Sequence, residues 1–256
     1  MEFIDTHSHL YDEAFSSEED VAVARAIEAN VIKMILPDID ASTREAMFTL
    51  AERHPNILFP TLGLHPTSVS HNWKEEMDSV EKSLGKNKIY AIGEIGIDCY
   101  WSKEYLEQQK EVFRVQLEIA HKLDLPIIIH SRESTELIIN ILKEYQHVPL
   151  RGVFHAYSGS IETYHELQKL GDWYIGIGGV LTYKKASIAE TVKNIPLERI
   201  VLETDSPYLT PVPHRGKRNE SSYIPHIAEK LAHQKETNIE EVAEITTANA
   251  KRLFRI

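Results

Sequence analysis

The chain has 256 residues, of which 42% are hydrophobic and 26% charged, with 11 glycines and 11 prolines. This ordinary globular composition excludes a dominantly disordered, collagen-like or low-complexity chain, and no apolar run reaches the roughly 18 residues of a membrane-spanning helix. The net charge of −11 argues against a broad basic face that grips nucleic acid; it leaves room for an enzyme that meets phosphate through bound cations, since cation-holding carboxylates count as negative in this sum.

The chain opens on Met1-Glu2-Phe3-Ile4-Asp5, acidic and strand-like, without the basic start and apolar stretch of a secretory signal. The one cysteine, Cys99, excludes an internal disulfide. Together these predict a cytoplasmic protein. Short apolar runs bounded by polar, Gly or Pro residues then recur along the chain, as buried parallel strands do. They fall at Phe3–Asp5, Val31–Leu36, Ile57–Leu62, Ile89–Ile92, Pro126–Ile129, Gly152–Phe154, Trp173–Ile177 and Ile200–Leu202. Helical stretches alternate with them: Glu18–Ala29, Ser42–Arg53, Lys74–Leu84, Lys103–Leu123, Glu133–Glu144, Ile161–Leu170, Ile188–Asn194 and Ile224–His233. Ser42 with Glu45 has the spacing of a capping box. Leu106, Val112, Phe113, Leu117 and Ala120 form a broad apolar helical stripe. Asn238–Phe254 reads as an extra C-terminal helix.

Eight strands alternating with eight helices predict an α/β fold, a TIM-like (β/α)8 barrel forming one domain over residues 1–256. A doubly wound open sheet is the alternative. The Ile175-Gly176-Ile177-Gly178-Gly179 stretch lacks dinucleotide-binding spacing and reads as a tight strand-to-loop turn.

The 13 histidines matter through their positions. His7 and His9 follow the first strand, His65 the third and Glu94 the fourth; His130 and His155 end the fifth and sixth; Asp205 follows the eighth. In a parallel barrel the C-terminal strand ends share one face. Each residue alone has an ordinary explanation, as a surface or hydrogen-bonded side chain. Imidazoles and carboxylates repeatedly placed just beyond apolar strands need partners, and a metal supplies one. Histidine and carboxylate without thiolate suit Zn²⁺, Mn²⁺, Fe²⁺ or Co²⁺, and Mg²⁺ at the oxygen-rich side. Such residues from six segments exceed the needs of one tetrahedral ion, which points to two divalent ions bridged by a carboxylate.

Seven segments together resemble the TatD family of metal-dependent DNases: His7-Ser8-His9, Gly63-Leu64-His65-Pro66, Gly93-Glu94-Ile95-Gly96-Ile97-Asp98, His130-Ser131-Arg132, Phe154-His155-Ala156-Tyr157-Ser158-Gly159, Glu203-Thr204-Asp205-Ser206-Pro207-Tyr208-Leu209 and Arg215-Gly216-Lys217-Arg218-Asn219-Glu220. The likeness spans nearly the whole chain. It departs at Ser221-Ser222, where the family often has proline, and at Tyr157, where phenylalanine is common. The resemblance implies a distorted TIM barrel and two divalent ions (Mg, Mn or Zn). His7, His9 and Asp205 would hold one ion, His130 and His155 the other, and Glu94 would bridge them. Related amidohydrolases often bridge with a carboxylated lysine, so Glu94 favours phosphodiester over cyclic-amide chemistry.

The expected activity is hydrolytic cleavage of DNA, exonucleolytic and directed at single strands or ends, with no membrane and no obligate protein partner implied. Asp205 would orient a water and accept its proton. His65, outside the ligand set, would contact phosphate, protonate the leaving oxygen or support a ligand. Arg132 would bind phosphate through its planar fork, or pair with a carboxylate. Arg215, Lys217 and Arg218 suit a nucleic-acid backbone, although Arg218 could instead pair with Glu203 or Glu220. Tyr100 and Trp101 would stack a terminal base or cap the barrel. Two alternatives stay open: hydrolysis of a small-molecule or aminoacyl ester or amide, and a non-catalytic metal-binding protein.

Overall fold

The computed structural model describes residues 1–256. Eight strands run β1 (Phe3–Asp5), β2 (Val31–Leu36), β3 (Leu58–Pro60), β4 (Ile92–Asp98), β5 (Ile127–Arg132), β6 (Arg151–Phe154), β7 (Asp172–Ile177) and β8 (Ile200–Leu202). Nine helices accompany them: α1 (Glu19–Glu28), α2 (Ala41–Arg53), α3 (Trp73–Ser83), α4 (Leu106–Leu123), α5 (Thr135–Glu144), α6 (Ile161–Leu167), α7 (Ile188–Asn194), α8 (Ile224–Lys235) and α9 (Ile239–Phe254). No helix is long and apolar enough to cross a membrane.

All strand pairings are parallel, in a three-stranded sheet β1-β2-β3 and a five-stranded sheet β4-β5-β6-β7-β8. Hydrogen bonds join the two sheets at both edges. Gly93 N donates to Leu62 O (3.0 Å) between β3 and β4, and Thr6 N donates to Leu202 O (2.9 Å) between β1 and β8. The result is the expected barrel, distorted where short bridges replace ladders.

Period-two alternation sorts the side chains. Ile4, Ile35, Phe59, Ala91, Ile128, Val153, Tyr174 and Val201 come from the eight strands in turn (Ala91 just precedes β4) and meet in one interior cluster. Ala250, Leu253 and Phe254 of α9 close it from below. Their neighbours Phe3, Ile127, Ile129 and Leu202 face outward, into the larger cluster beneath the helices. With the barrel filled up to this layer, polar residues one step further along each strand emerge at the mouth.

Several boundaries differ from the sequence expectation. The fourth strand is Ile92–Asp98, not Ile89–Ile92, so Glu94 lies inside the strand and not after it. Two glycines and two carboxylates read as loop, yet all seven residues are buried. Register shifts between Ile92 and Ile95 against β5, the one-residue excess of a bulge, and the bulge carries Glu94. Gly96 sits at φ +146, where an added Cβ would overlap His130 O, so only glycine lets β4 approach β5 this closely. The fifth strand runs on to Arg132 and includes His130. The Ser42 capping box does not form; Asp40 caps α2, accepting from Ser42 N at 2.9 Å. At the glycine run the strand ends at Ile177 and the chain turns at Gly178 into a short 3-10 helix, Gly179–Thr182, as the strand-to-loop reading expects.

Asp38, just after β2, ties the strand ends beneath the mouth. Its Oδ2 accepts from Arg44 Nε (2.7 Å) and Gly63 N (3.1 Å), while its backbone exchanges hydrogen bonds with Gly93 and Glu94. Both Asp38 and Arg44 are buried. Removing one partner of a buried pair strands the other charge. Arg44→Ala is therefore expected to cost about 3–5 kcal/mol of stability, read as a lowered urea midpoint. Arg114→Ala, which breaks the exposed pair with Glu144, should cost under about 1 kcal/mol.

Candidate metal centre

The site begins with Asp5 at the end of β1. Its carboxylate accepts from His7 N (3.1 Å), Thr204 N (3.0 Å) and Thr204 Oγ1 (2.6 Å). Asp205 N in turn donates to His7 O at 2.9 Å. One buried carboxylate thus orients the exits of β1 and β8 together. Asp205 takes a left-handed backbone (φ 57) that aspartate tolerates, turning its side chain toward His7 and His9.

At the centre stands Glu94, 2% exposed. Its Oε2 lies 3.1 Å from His7 Nε2 and 3.7 Å from His9 Nε2. His7 and His9 Nε2 are 3.2 Å apart, and each is 3.7 Å from Asp205 Oδ1. The other oxygen, Oε1, faces His130 Nδ1 (2.9 Å), His65 Nε2 (3.4 Å) and His155 Nε2 (3.7 Å). His155 also stacks on His7 with ring centroids 3.6 Å apart. Glu94 therefore presents one oxygen to each of two donor groups. Lone pairs converging this closely in a buried place are costly unless protons or cations lie between them. Spacings of 2.9–3.8 Å between nitrogen and oxygen donors fit two such cations.

Burial and the neighbouring imidazoles push His7 well below the usual histidine range and His9 down to about 4. Burial works against the charged form of His155, but Glu203, Asp205 and Glu94 outweigh it and hold the ring at about 10. Burial raises Asp205 to about 7. Burial also opposes the charge on Glu94, yet His7, His65 and His155 keep it well below the ordinary carboxylate range.

The structure brings His7, His9, Glu94, His130, His155 and Asp205 together. His65 stands with them: its Nε2 lies 3.3 Å from His130 Nδ1, beside the second donor group. Its Nδ1 meets Thr67 Oγ1 at 2.6 Å, where the chain turns after Pro66. Arg132 lines the cavity mouth and makes no ion pair; it stacks on Tyr100 (3.7 Å) and Trp101 (5.3 Å). Tyr100 and Trp101 are exposed at the rim, and Trp101 lines the cavity. Arg215 and Lys217 are exposed on the β8–α8 loop, with Arg215 over the Tyr183 ring. Arg218 turns away to Glu18 (2.6 Å) and Ala14 O, not to Glu203 or Glu220; Glu220 is taken by Arg25.

Two buried carboxylates had no assigned role in the sequence. Asp98 Oδ2 meets His130 Nε2 at 2.9 Å, and its Oδ1 accepts from Tyr100 N and Trp101 N. Glu203 Oε1 lies 3.1 Å from His155 Nδ1. Strand period could have found Glu203, because it stands two residues beyond Val201 as His155 stands two beyond Val153.

A family model described as TatD related DNase matches residues 4–255. The chain is 40% identical over 253 residues to an uncharacterized metal-dependent hydrolase, YabD, of Bacillus subtilis, covering 98% of each. It is 32% identical over 261 residues to an uncharacterized metal-dependent hydrolase, YcfH, of Escherichia coli, covering 100% of this chain and 97% of that one. Among solved structures it is similar to the TatD homologue YjjV of Escherichia coli (30% identity, TM-score 0.91, 99% and 98% covered). A TatD-family hydrolase of Entamoeba histolytica is also similar (25% identity, TM-score 0.85, 99% and 98% covered).

Glu94→Ala is expected to abolish tight uptake of two divalent ions while circular dichroism stays that of the folded barrel; equilibrium dialysis with metal analysis measures it. Burial raises Asp205, and the surrounding carboxylates raise His155, so an ion competes with protons at both. Apparent Zn²⁺ affinity should thus rise with pH through neutrality and on toward about 10, where His155 loses its proton. Calorimetry in buffers of different ionisation enthalpy should register proton release.

Proposed function

The chain belongs to the TatD-related DNase family of metal-dependent hydrolases, and we propose that it is a deoxyribonuclease that releases nucleotides from the end of a single strand. The observation that carries this reading is Glu94, with one oxygen toward each donor group beneath an open mouth. In this reading His7, His9, Glu94 and Asp205 hold one divalent ion, and Glu94, His130, His155 and His65 the other. Bound there, Mg²⁺, Mn²⁺ or Zn²⁺ would neutralise phosphate charge and acidify water. The chain's own residues do the rest. Asp205, which lines the cavity beside His7 and His9, is placed to orient the attacking water and accept its proton. Arg132 offers a planar, permanently charged fork at the mouth.

The rim supports an unpaired substrate. Trp101 (69% exposed), Tyr208 (56%) and Leu209 (37%) line the cavity, where a free base finds an apolar face to stack on. The cavity of about 740 Å³ suits one or two nucleotides. Arg215 and Lys217 on the nearby loop would follow the strand's backbone.

The test is cleavage of 5′-labelled and 3′-labelled single strands and duplexes with Mg²⁺, Mn²⁺ or Zn²⁺. Mononucleotides released from one end, faster from single strands, are expected. Internal fragments appearing first would overturn the exonuclease reading. No cleavage by ion-loaded protein would turn the assignment to carboxylic ester or amide substrates. Trp101→Ala is expected to raise the KM for a single strand about 10-fold with kcat little changed.

A further inference from the structure

Val153 and Val201 belong to the apolar ring that fills the barrel. Two residues further along the same strand faces stand His155 and Glu203, and two beyond Tyr174 stands Gly176. Neither Glu203 nor Gly176 has a part in the proposed hydrolysis. Glu203 is 1% exposed, a carboxylate carried into the barrel with no arginine or lysine beside it. Its Oε1 accepts from Ala156 N at 2.6 Å and lies 3.1 Å from His155 Nδ1. Its Oε2 and the His155 Nδ1 are both buried with no formed hydrogen bond, although Oε1 lies within reach of that nitrogen. An added Cβ on Gly176 would overlap that same Oε2, so the glycine is what leaves room for the carboxylate.

His155 needs such a partner. Its Nε2 faces Glu94 Oε1 (3.7 Å) and Asp205 Oδ1 (3.8 Å), the side where an ion would sit. An imidazole that gives its Nε2 lone pair to an ion carries its proton on Nδ1, and that proton needs an acceptor. On the neighbouring strand Asp98 already stands in that place behind His130, through a formed hydrogen bond. It meets Nε2 of His130 and leaves Nδ1 facing Glu94. The two neighbouring histidines thus point opposite ring nitrogens at one carboxylate, each with a buried acid behind it.

We propose that Glu203, seated in the space left by Gly176, is a positioning residue that holds His155 in its Nδ1–H form and raises the affinity of the second ion site. The inference rests on the reading of His155 as an ion ligand. Glu203 touches neither ion nor substrate in it; it acts through His155.

The experiment measures Zn²⁺ affinity by chelator competition in the wild type, Glu203→Ala, Glu203→Gln and Gly176→Ala. Nuclear magnetic resonance of the Zn²⁺-loaded proteins follows the His155 Nδ1–H proton. Glu203→Ala is expected to weaken the second ion about 10–100-fold and to lose the sharp low-field Nδ1–H resonance through exchange with water. Glu203→Gln keeps an acceptor oxygen but not the charge, so it should weaken binding less and keep the resonance. Gly176→Ala should act in the direction of Glu203→Ala by displacing the carboxylate. If Glu203→Ala and Gly176→Ala bind within twofold of wild type with the resonance intact, Glu203's role is overturned while the metal centre stands. If the wild type takes up no Zn²⁺, the metal reading falls and this inference with it.

Discussion

Everything at the mouth of this barrel depends on keeping one carboxylate ionised where water scarcely reaches. Glu94 is almost fully buried, and its charge survives because imidazoles from the ends of β1, β3, β5 and β6 surround it. No single element could assemble that shell. The strand ring does so, since β1, β3, β5 and β6 each contribute one or two imidazoles and the parallel direction delivers them all to the same end. The bulge in β4 aims Glu94, and Gly96 lets β4 lie close enough to β5 for His130 to reach it.

Around this centre the protein repeats one device, a buried carboxylate that organises what stands above it. Asp5 ties the exits of β1 and β8, Asp38 those of β2, β3 and β4, and Asp98 and Glu203 lie behind His130 and His155. Asp38 has a guanidinium for company, and the others have backbone N–H groups, hydroxyls or imidazoles. Burying so many acids costs desolvation. The acids turn a set of flexible strand ends into a rigid array of donors, and rigid placement is what ion binding rewards.

The chain's acidity is compatible with an anionic substrate for the same reason. The barrel mouth gathers carboxylates that count toward −11, but they face inward to imidazoles. Trp101, Tyr208, Leu209 and Arg132 stand at the rim outside them, beside Asp12 and Ser158. A single strand can meet such a rim through stacked bases and a few phosphates, without the broad basic track that a clamped duplex uses.

The alternation of apolar runs with helical stretches was enough to read the barrel from the sequence, because period and strand spacing are local properties. The same holds for His7, His9, His130, His155 and Asp205, each placed directly beyond an apolar run. Local reading failed where burial came from elsewhere in the chain. β4 looked like loop, since glycines and acids are poor strand formers until β5 and a ring of imidazoles surround them. The distance of His65 to Glu94 is set by strand closure and not by sequence spacing. Arg218 was open to substrate or to a pair with Glu203 or Glu220, and the fold instead laid it against Glu18, 200 residues away. Which residues could reach the barrel end was thus determined by the sequence itself. Which of them share an oxygen of Glu94, and which acid stands behind each histidine, was decided only by the closed barrel, because those are distances between strands that the chain's order does not contain.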